Sequence, residues 1–206
     1  MILMLTASAA IIQHIMKLRD AGKATLAYFY FDFGDKEKQN VRNVVTSLII
    51  QLSAYSKPCC DIVYHLYLTH GKGMQQLSND ILISLLMEML TVTAHRPIFI
   101  IMDALDECPV VGMPTPRDAV LRLVEGLADL RLPNLHVCVT SRPEFDIRAT
   151  LEPLTDHQIS LHDETGQKTD ILKHVSSVVS SDVFKKCRDE DKELVIEVLS
   201  ERADGM

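Results

Sequence analysis

The chain has no Cys-x-x-Cys pair. Its five cysteines, Cys59, Cys60, Cys108, Cys138 and Cys187, are odd in number and scattered, which argues against a disulfide framework and points to a reducing, cytosolic compartment. An excess of Lys and Arg is also lacking. The formal charge of -7 and a pI near 5.6 speak against a nucleic-acid-binding surface, because phosphate contacts need clustered basic residues. A long hydrophobic run is missing as well. Met1 to Leu5 is apolar but has no basic flank, and Gln13, His14 and Lys17 soon interrupt it, so neither a signal peptide nor a membrane span is expected. No internal repeat or low-complexity tract appears. Most consequentially, no glycine-rich phosphate-binding loop with its Lys and Ser or Thr is present between a strand and a helix. Gly22-Lys23-Ala24-Thr25 follows a helical pattern and precedes a strand pattern, the reverse of the required context, and Gly71-Lys72-Gly73 lacks the hydroxyl residue.

What is present is the composition of a soluble globular protein. In 206 residues, 47% are hydrophobic and 24% charged, enough for one sizeable domain or one domain with part of another. Ala7 to Arg19 carries Ala7, Ala10, Ile11, Ile15 and Leu18 at helical spacing and should end near Gly22. Ala24 to Phe33 is rich in aromatics and reads as a strand, with Tyr28 and Tyr30 facing one side and Phe29, Phe31 and Phe33 the other. Core packing is favoured for these rings over stacking on a nucleic-acid base.

Asn40 can cap a helix running to about Tyr55, with Val41, Val44, Val45, Leu48, Ile49 and Leu52 as its buried stripe. Lys57-Pro58 is expected to break it, and a shorter helix should run from Asp61 to about Thr69. Ser78-Asn79-Asp80 starts another, carrying Ile81, Leu82, Leu85, Leu86, Met89 and Leu90. Further helices are expected from Pro114-Thr115-Pro116 to about Leu130, from Glu144 to about Leu151, from Gly166 to Ser180 and from Glu190 to Ala203. Strands are expected at Leu135 to Thr140 and at His157 to Leu161. Strands alternating with helices predict an α/β fold, a parallel sheet with helices on both faces.

The centre of that pattern is Ile98-Phe99-Ile100-Ile101-Met102. Five consecutive apolar residues without alternation read as a strand buried on both faces. Asp103, Asp106 and Glu107 follow, at the carboxyl end where open α/β sheets bind ligands. If the strand at Leu135 is its neighbour, Thr140, Ser141 and Arg142 meet these carboxylates. Such a set suits a metal-bound triphosphate: Asp holds Mg²⁺ through water, Glu orients or deprotonates the attacking water, and Thr or Arg senses the terminal phosphate. The plainer alternative has Asp103 capping a turn, Asp106 and Glu107 solvated, and Arg142 in a surface salt bridge.

Two of these segments carry a resemblance. Ile98 to Cys108 is similar to the Walker B segment of NACHT-type NTPases, and Val137-Cys138-Val139-Thr140-Ser141-Arg142-Pro143 resembles their first sensor motif. The aromatic strand and the helix at Asn40 resemble the intervening segments in fungal NOD-like receptor proteins with a nephrocystin-type NACHT module. The resemblance implies a three-layer P-loop NTPase-like sheet whose first strand and phosphate loop are missing here, with residues 1–165 as a partial core and 166–206 leading towards helical and winged-helix regions. It assigns Asp103 to the metal, Asp106 and Glu107 to catalysis, and Thr140 and Arg142 to the nucleotide. Mg²⁺ and ATP or GTP are the implied cofactors.

Members of that family are signal-transducing ATPases in which nucleotide exchange converts a monomer to an oligomer that activates an effector. In fungi they are linked to non-self recognition and programmed cell death. Ala9 to Ile15 resembles the body of the helix after the phosphate loop, with Met1 to Ser8 in the loop's place. A gap in the sheet with exposed apolar edges is therefore expected. The reading is a truncated NACHT-type module, as a shortened product or a gene-model fragment, with weak or no NTPase activity alone. The alternative is a non-catalytic scaffold pairing with full-length NACHT homologues through its sheet edge. Partners are proteins, as homo-oligomers or such homologues, without nucleic acid or membrane. A phosphohydrolase with Asp103 as nucleophile fits poorly, since position 105 is Leu and no DxD is formed.

Overall fold

Apolar spacing and capping residues dictate most of the helices. The computed structural model of the chain describes residues 2–70, 76–93, 95–159, 172–173, 175–180, 184 and 188–202. Two compact units divide it, Met1–Thr155 and Asp156–Met206. The first contains α1 (Ile2–Asp20), β1 (Thr25–Tyr30), α2 (Val41–Tyr55), α3 (Lys57–Thr69), α4 (Asn79–Val92), β2 (Ile98–Asp103), α5 (Pro116–Asp129), β3 (Leu135–Val139) and α6 (Phe145–Leu151). The second contains α7 (Asp189–Arg202).

The stripe predicted for α2 is the one that is buried, Val41, Val44, Val45, Leu48, Ile49 and Leu52, and the Asn40 side chain caps it by accepting from Asn43 N. Thr115 and Asp118 close a capping box at the start of α5 with Pro116 in its first turn, where no N–H is missed. Gly22 ends the run after α1 at φ +67°, with its N–H and that of Lys23 donating to Arg19 and Leu18 carbonyls.

The three strands form one parallel sheet in the order β1-β2-β3. Tyr30 stands beside Asp103 in the first pair, and Met102 beside Val139 in the second. Alternation along β2 sends Ile98, Ile100 and Met102 into the large core with Ala27, Phe29, Phe31 and residues of α2, α4 and α5. The other side of the strands, Leu26, Ile101, Tyr28, Tyr30, Phe99 and Cys138, packs with Ile12, Ile15, Met16 and Leu18 of α1. β2 is thus covered on both faces, as its apolar run requires.

Four expectations change. The sheet has no gap among its described strands, because β1, β2 and β3 are consecutive neighbours. The helix expected from Asp61 begins at Lys57, since Ser56 caps it and Pro58 is tolerated in a first turn. α1 starts at Ile2 rather than Ala7. Residues 157–159 are not a strand. Ser160 and Leu161, most of the helix expected at 166–180, Gly71 to Gly73 and Ala203 to Met206 lie outside the described residues. Among the described residues, no helix is long and apolar enough to cross a membrane.

Candidate functional site

The period of two that buries Met102 on one face places Asp103 on the other, under α1. There its side chain is 1% exposed. Oδ1 accepts hydrogen bonds from the hydroxyl of Ser8, itself fully buried on α1, and from that of Thr140 at 2.5 Å. Both lone pairs of Oδ1 are then occupied. Oδ2, equally buried, has no partner among the described residues. A buried carboxylate oxygen left bare is costly, and no basic side chain among the described residues bonds it.

Neighbouring groups feel the charge. Burial, then Tyr28, then Asp103 push the Tyr30 phenol above its ordinary range. Burial and Asp103 do the same to the Cys138 thiol. A buried carboxylate oxygen without a partner favours a positive species beside it. The side chains bonded to Asp103, Ser8 and Thr140, offer oxygen, which suits a hard divalent cation such as Mg²⁺, a metal that takes one or two carboxylates and keeps waters or phosphate oxygens in its other positions. On this observation the residues fit the implied metal.

Immediately after Asp103 the backbone turns at Ala104, whose φ of 59° and ψ of 47° are left-handed. A side chain makes that conformation unfavourable. Thr140 holds the turn: its hydroxyl accepts from Ala104 N at 3.0 Å and its carbonyl from Leu105 N at 2.9 Å. Leu105 returns to the core at 0% exposure, and Asp106 and Glu107 are delivered on a short 3-10 turn, Leu105–Glu107. Asp106 is engaged by Arg142, through the backbone N–H at 3.1 Å and Nε at 3.2 Å. Glu107 accepts from Phe33 N at 3.1 Å.

The predicted residues therefore fall into three groups. Asp103 and Thr140 are joined directly, Asp106 and Arg142 pair with each other, and Glu107 braces the loop after β1. Two further residues were not found by sequence reasoning. Ser8 sits four and seven residues before Ile12 and Ile15, a hydroxyl on an apolar helix face, and that was the available signal. Arg117 was marked likewise, preceding Val120, Leu121 and Val124 at helical spacing. Only 4% exposed, it donates to the carbonyls of Cys108 at 2.9 Å and Asp106 at 2.5 Å and forms ion pairs with Glu144 and Asp146. It ties the loops after β2 and β3 together.

A cleft of about 330 Å³, lined by Asp61, Ile62, His65, Leu66, Leu85 and Glu88, involves none of these residues. Among the described residues no three His, Cys, Asp or Glu side chains are grouped to hold a metal, so a cation at Asp103 depends on hydroxyls, water or a ligand for its other bonds.

The family model for "Nephrocystin 3, N-terminal" matches residues 5–142, a span that runs from α1 to Arg142 and takes in the whole candidate site. The chain belongs to that family. No curated protein and no solved structure matches it. In this nephrocystin-3 N-terminal domain the matched span ends where the last of the Asp103, Asp106 and Thr140 contacts is made, so the family segment and the braced strand ends coincide.

Proposed function

We propose that the chain is a nucleotide-binding signalling module of the NACHT type, in which β2 and its acidic end act as the Walker B segment. The observation that carries this reading is the bare, buried Oδ2 of Asp103 beside two hydroxyls. When bound there, Mg²⁺ supplies charge neutralisation for a nucleotide's phosphates. Asp103 holds the metal, and Thr140 fixes that carboxylate and stands at the nucleotide. Arg142, 64% exposed, keeps its guanidinium at the solvent edge of Asp106, where it can shift to a terminal phosphate. Glu107 is the group to orient or deprotonate water. Hydrolysis by this chain alone should be weak, because Glu107 and Asp106 are occupied by protein donors and the sequence has no phosphate-binding loop.

Calorimetry with Mg²⁺ and ATP, GTP or ADP tests the reading. Micromolar binding that disappears in Asp103→Ala sustains it; no binding by a folded protein overturns it. Robust turnover abolished by Glu107→Gln would overturn the expectation of weak activity.

A second reading is favoured by the two edges of the sheet. On β1, the Gln51 amide donates to Tyr28 O at 2.7 Å and accepts from Tyr28 N at 3.1 Å, covering that edge at Tyr28. β3 pairs with no strand on its outer side among the described residues, the arrangement through which strands are added in trans. We infer a non-catalytic scaffold that pairs with full-length NACHT homologues as the alternative. Co-purification with such a homologue, unaltered by nucleotide, supports it, and failure to associate removes it.

A further inference from the structure

The two hydroxyls on Asp103 have different origins. Thr140 follows β3 and is brought to β2 by the ladder itself, its N–H donating to Met102 O at 3.0 Å. Ser8 comes from 95 residues away in sequence, on a helix that packs its side chains against the sheet. Its burial and its bond to Asp103 need an explanation of their own.

The torsion that turns a carboxylate about its Cβ–Cγ bond is broad. One donor therefore leaves the carboxylate plane loosely defined and its two oxygens interchangeable. Two donors from separate elements select one oxygen and fix the plane. We propose that Ser8 is a positioning residue for a divalent cation at Asp103: with Thr140 it saturates Oδ1, so that Oδ2 alone is presented to the metal, and it makes the docking of α1 part of the site. This rests on the reading of Asp103 as a cation ligand.

Mn²⁺ titration of the full chain, followed by electron paramagnetic resonance, tests it. Ser8→Ala should weaken Mn²⁺ binding by about 10-fold, the lower end of what loss of a ligand's supporting hydrogen bond does to metal affinity. Ser8→Thr, which keeps the hydroxyl, should restore most of it, and Cys60→Ser on exposed α3 should match the parent. A serine that only stabilises α1 would lower the melting temperature and leave the affinity of the folded protein alone. Folded Ser8→Ala binding Mn²⁺ as tightly as the parent overturns the proposal. The parent chain provides a test that needs no variant: saturating Mn²⁺ should slow hydrogen exchange of the α1 amides, and unchanged exchange counts against the proposal. If the parent itself binds no Mn²⁺, the cation reading of Asp103 fails first and Ser8's role falls with it, a failure visible without any variant.

Discussion

The two faces of the sheet are built for different ends. On one, Ala27, Phe29, Phe31, Ile98, Ile100 and Met102 are at most 8% exposed and sealed by residues of α2, α4 and α5. On the other, α1 contributes Ile12 and Ile15, while Tyr28, Tyr30, Phe99 and Cys138 are only half-buried and His136, stacked on Phe99 at 4.9 Å, is exposed. Burial of apolar area sets stability, so the sealed face should carry most of it. The lighter face carries the polar chemistry, Ser8, Asp103 and Thr140. A buried carboxylate with a bare oxygen is a burden on folding, and the sealed core offsets it. Strand alternation is what allows one strand to serve both ends.

The largest effects should separate the faces directly. Leu48→Ala, at 0% exposure in the sealed core, should cost about 3–4 kcal/mol in urea unfolding, and Ile15→Ala under α1 about 2 kcal/mol. Equal losses would erase the distinction. Next comes Arg117→Met, which should cost about 2–3 kcal/mol, because two carbonyls lose their donor and two carboxylates their cation. The carboxylates are half-exposed and recover part of the loss from water, which holds the figure below that for a fully buried pair.

Thiols probe the same contrast chemically. Peptide mapping after reaction of the native protein with a thiol reagent should find, among the four cysteines of the described residues, Cys60 modified first, Cys138 on the lighter face next, and Cys59 and Cys108 in the sealed core last. Burial raises Cys108 from 9.0 to about 11 despite Arg117. Its folded state holds the proton that the unfolded chain has already released, so stability should fall as pH rises from about 9 to about 11. A flat pH profile in that window would count against a Cys108 thiol held protonated by the fold.

How much of this was legible in the sequence depends on how local the cause is. The α2 stripe and the strands at Ile98 and Leu135 were readable because a period of 3.6 or an apolar run is written within a dozen residues. Long-range partners were not. Nothing near Ser8 announces Asp103, and nothing near Arg117 announces Glu144 and Asp146; each showed only as a polar residue on an apolar helix face. Asp106 and Arg142 were both singled out, but their mutual ion pair needs the register of β2 against β3. α3 was placed too late because a proline read as a breaker is harmless in a first turn.

Asp103→Asn brings the comparison onto the lighter face. The amide oxygen can still accept from Ser8 and Thr140, and loss of the buried charge offsets the cost of the amide N–H groups that take the place of the bare oxygen. Stability should therefore change by less than about 1 kcal/mol, and Mn²⁺ binding should vanish. A large loss of stability with binding retained would mean that the carboxylate serves the fold.

The smallest effect lies one residue further on. Ala104 adopts a left-handed conformation at φ 59°, which costs a residue with a Cβ roughly 1–2 kcal/mol, while glycine adopts it freely but loses about 0.5–1 kcal/mol through the greater freedom of its unfolded chain. Ala104→Gly should therefore raise stability by about 0.5 kcal/mol, visible as a small upward shift in the urea midpoint. Ala104→Val, with a branched Cβ in the same conformation, should lower it by more than that. If both variants were destabilised alike, the Cβ of Ala104 would be making a contact that outweighs its strain. The turn would then be held by packing, and the hydrogen bonds that Thr140 accepts from it would be its consequence.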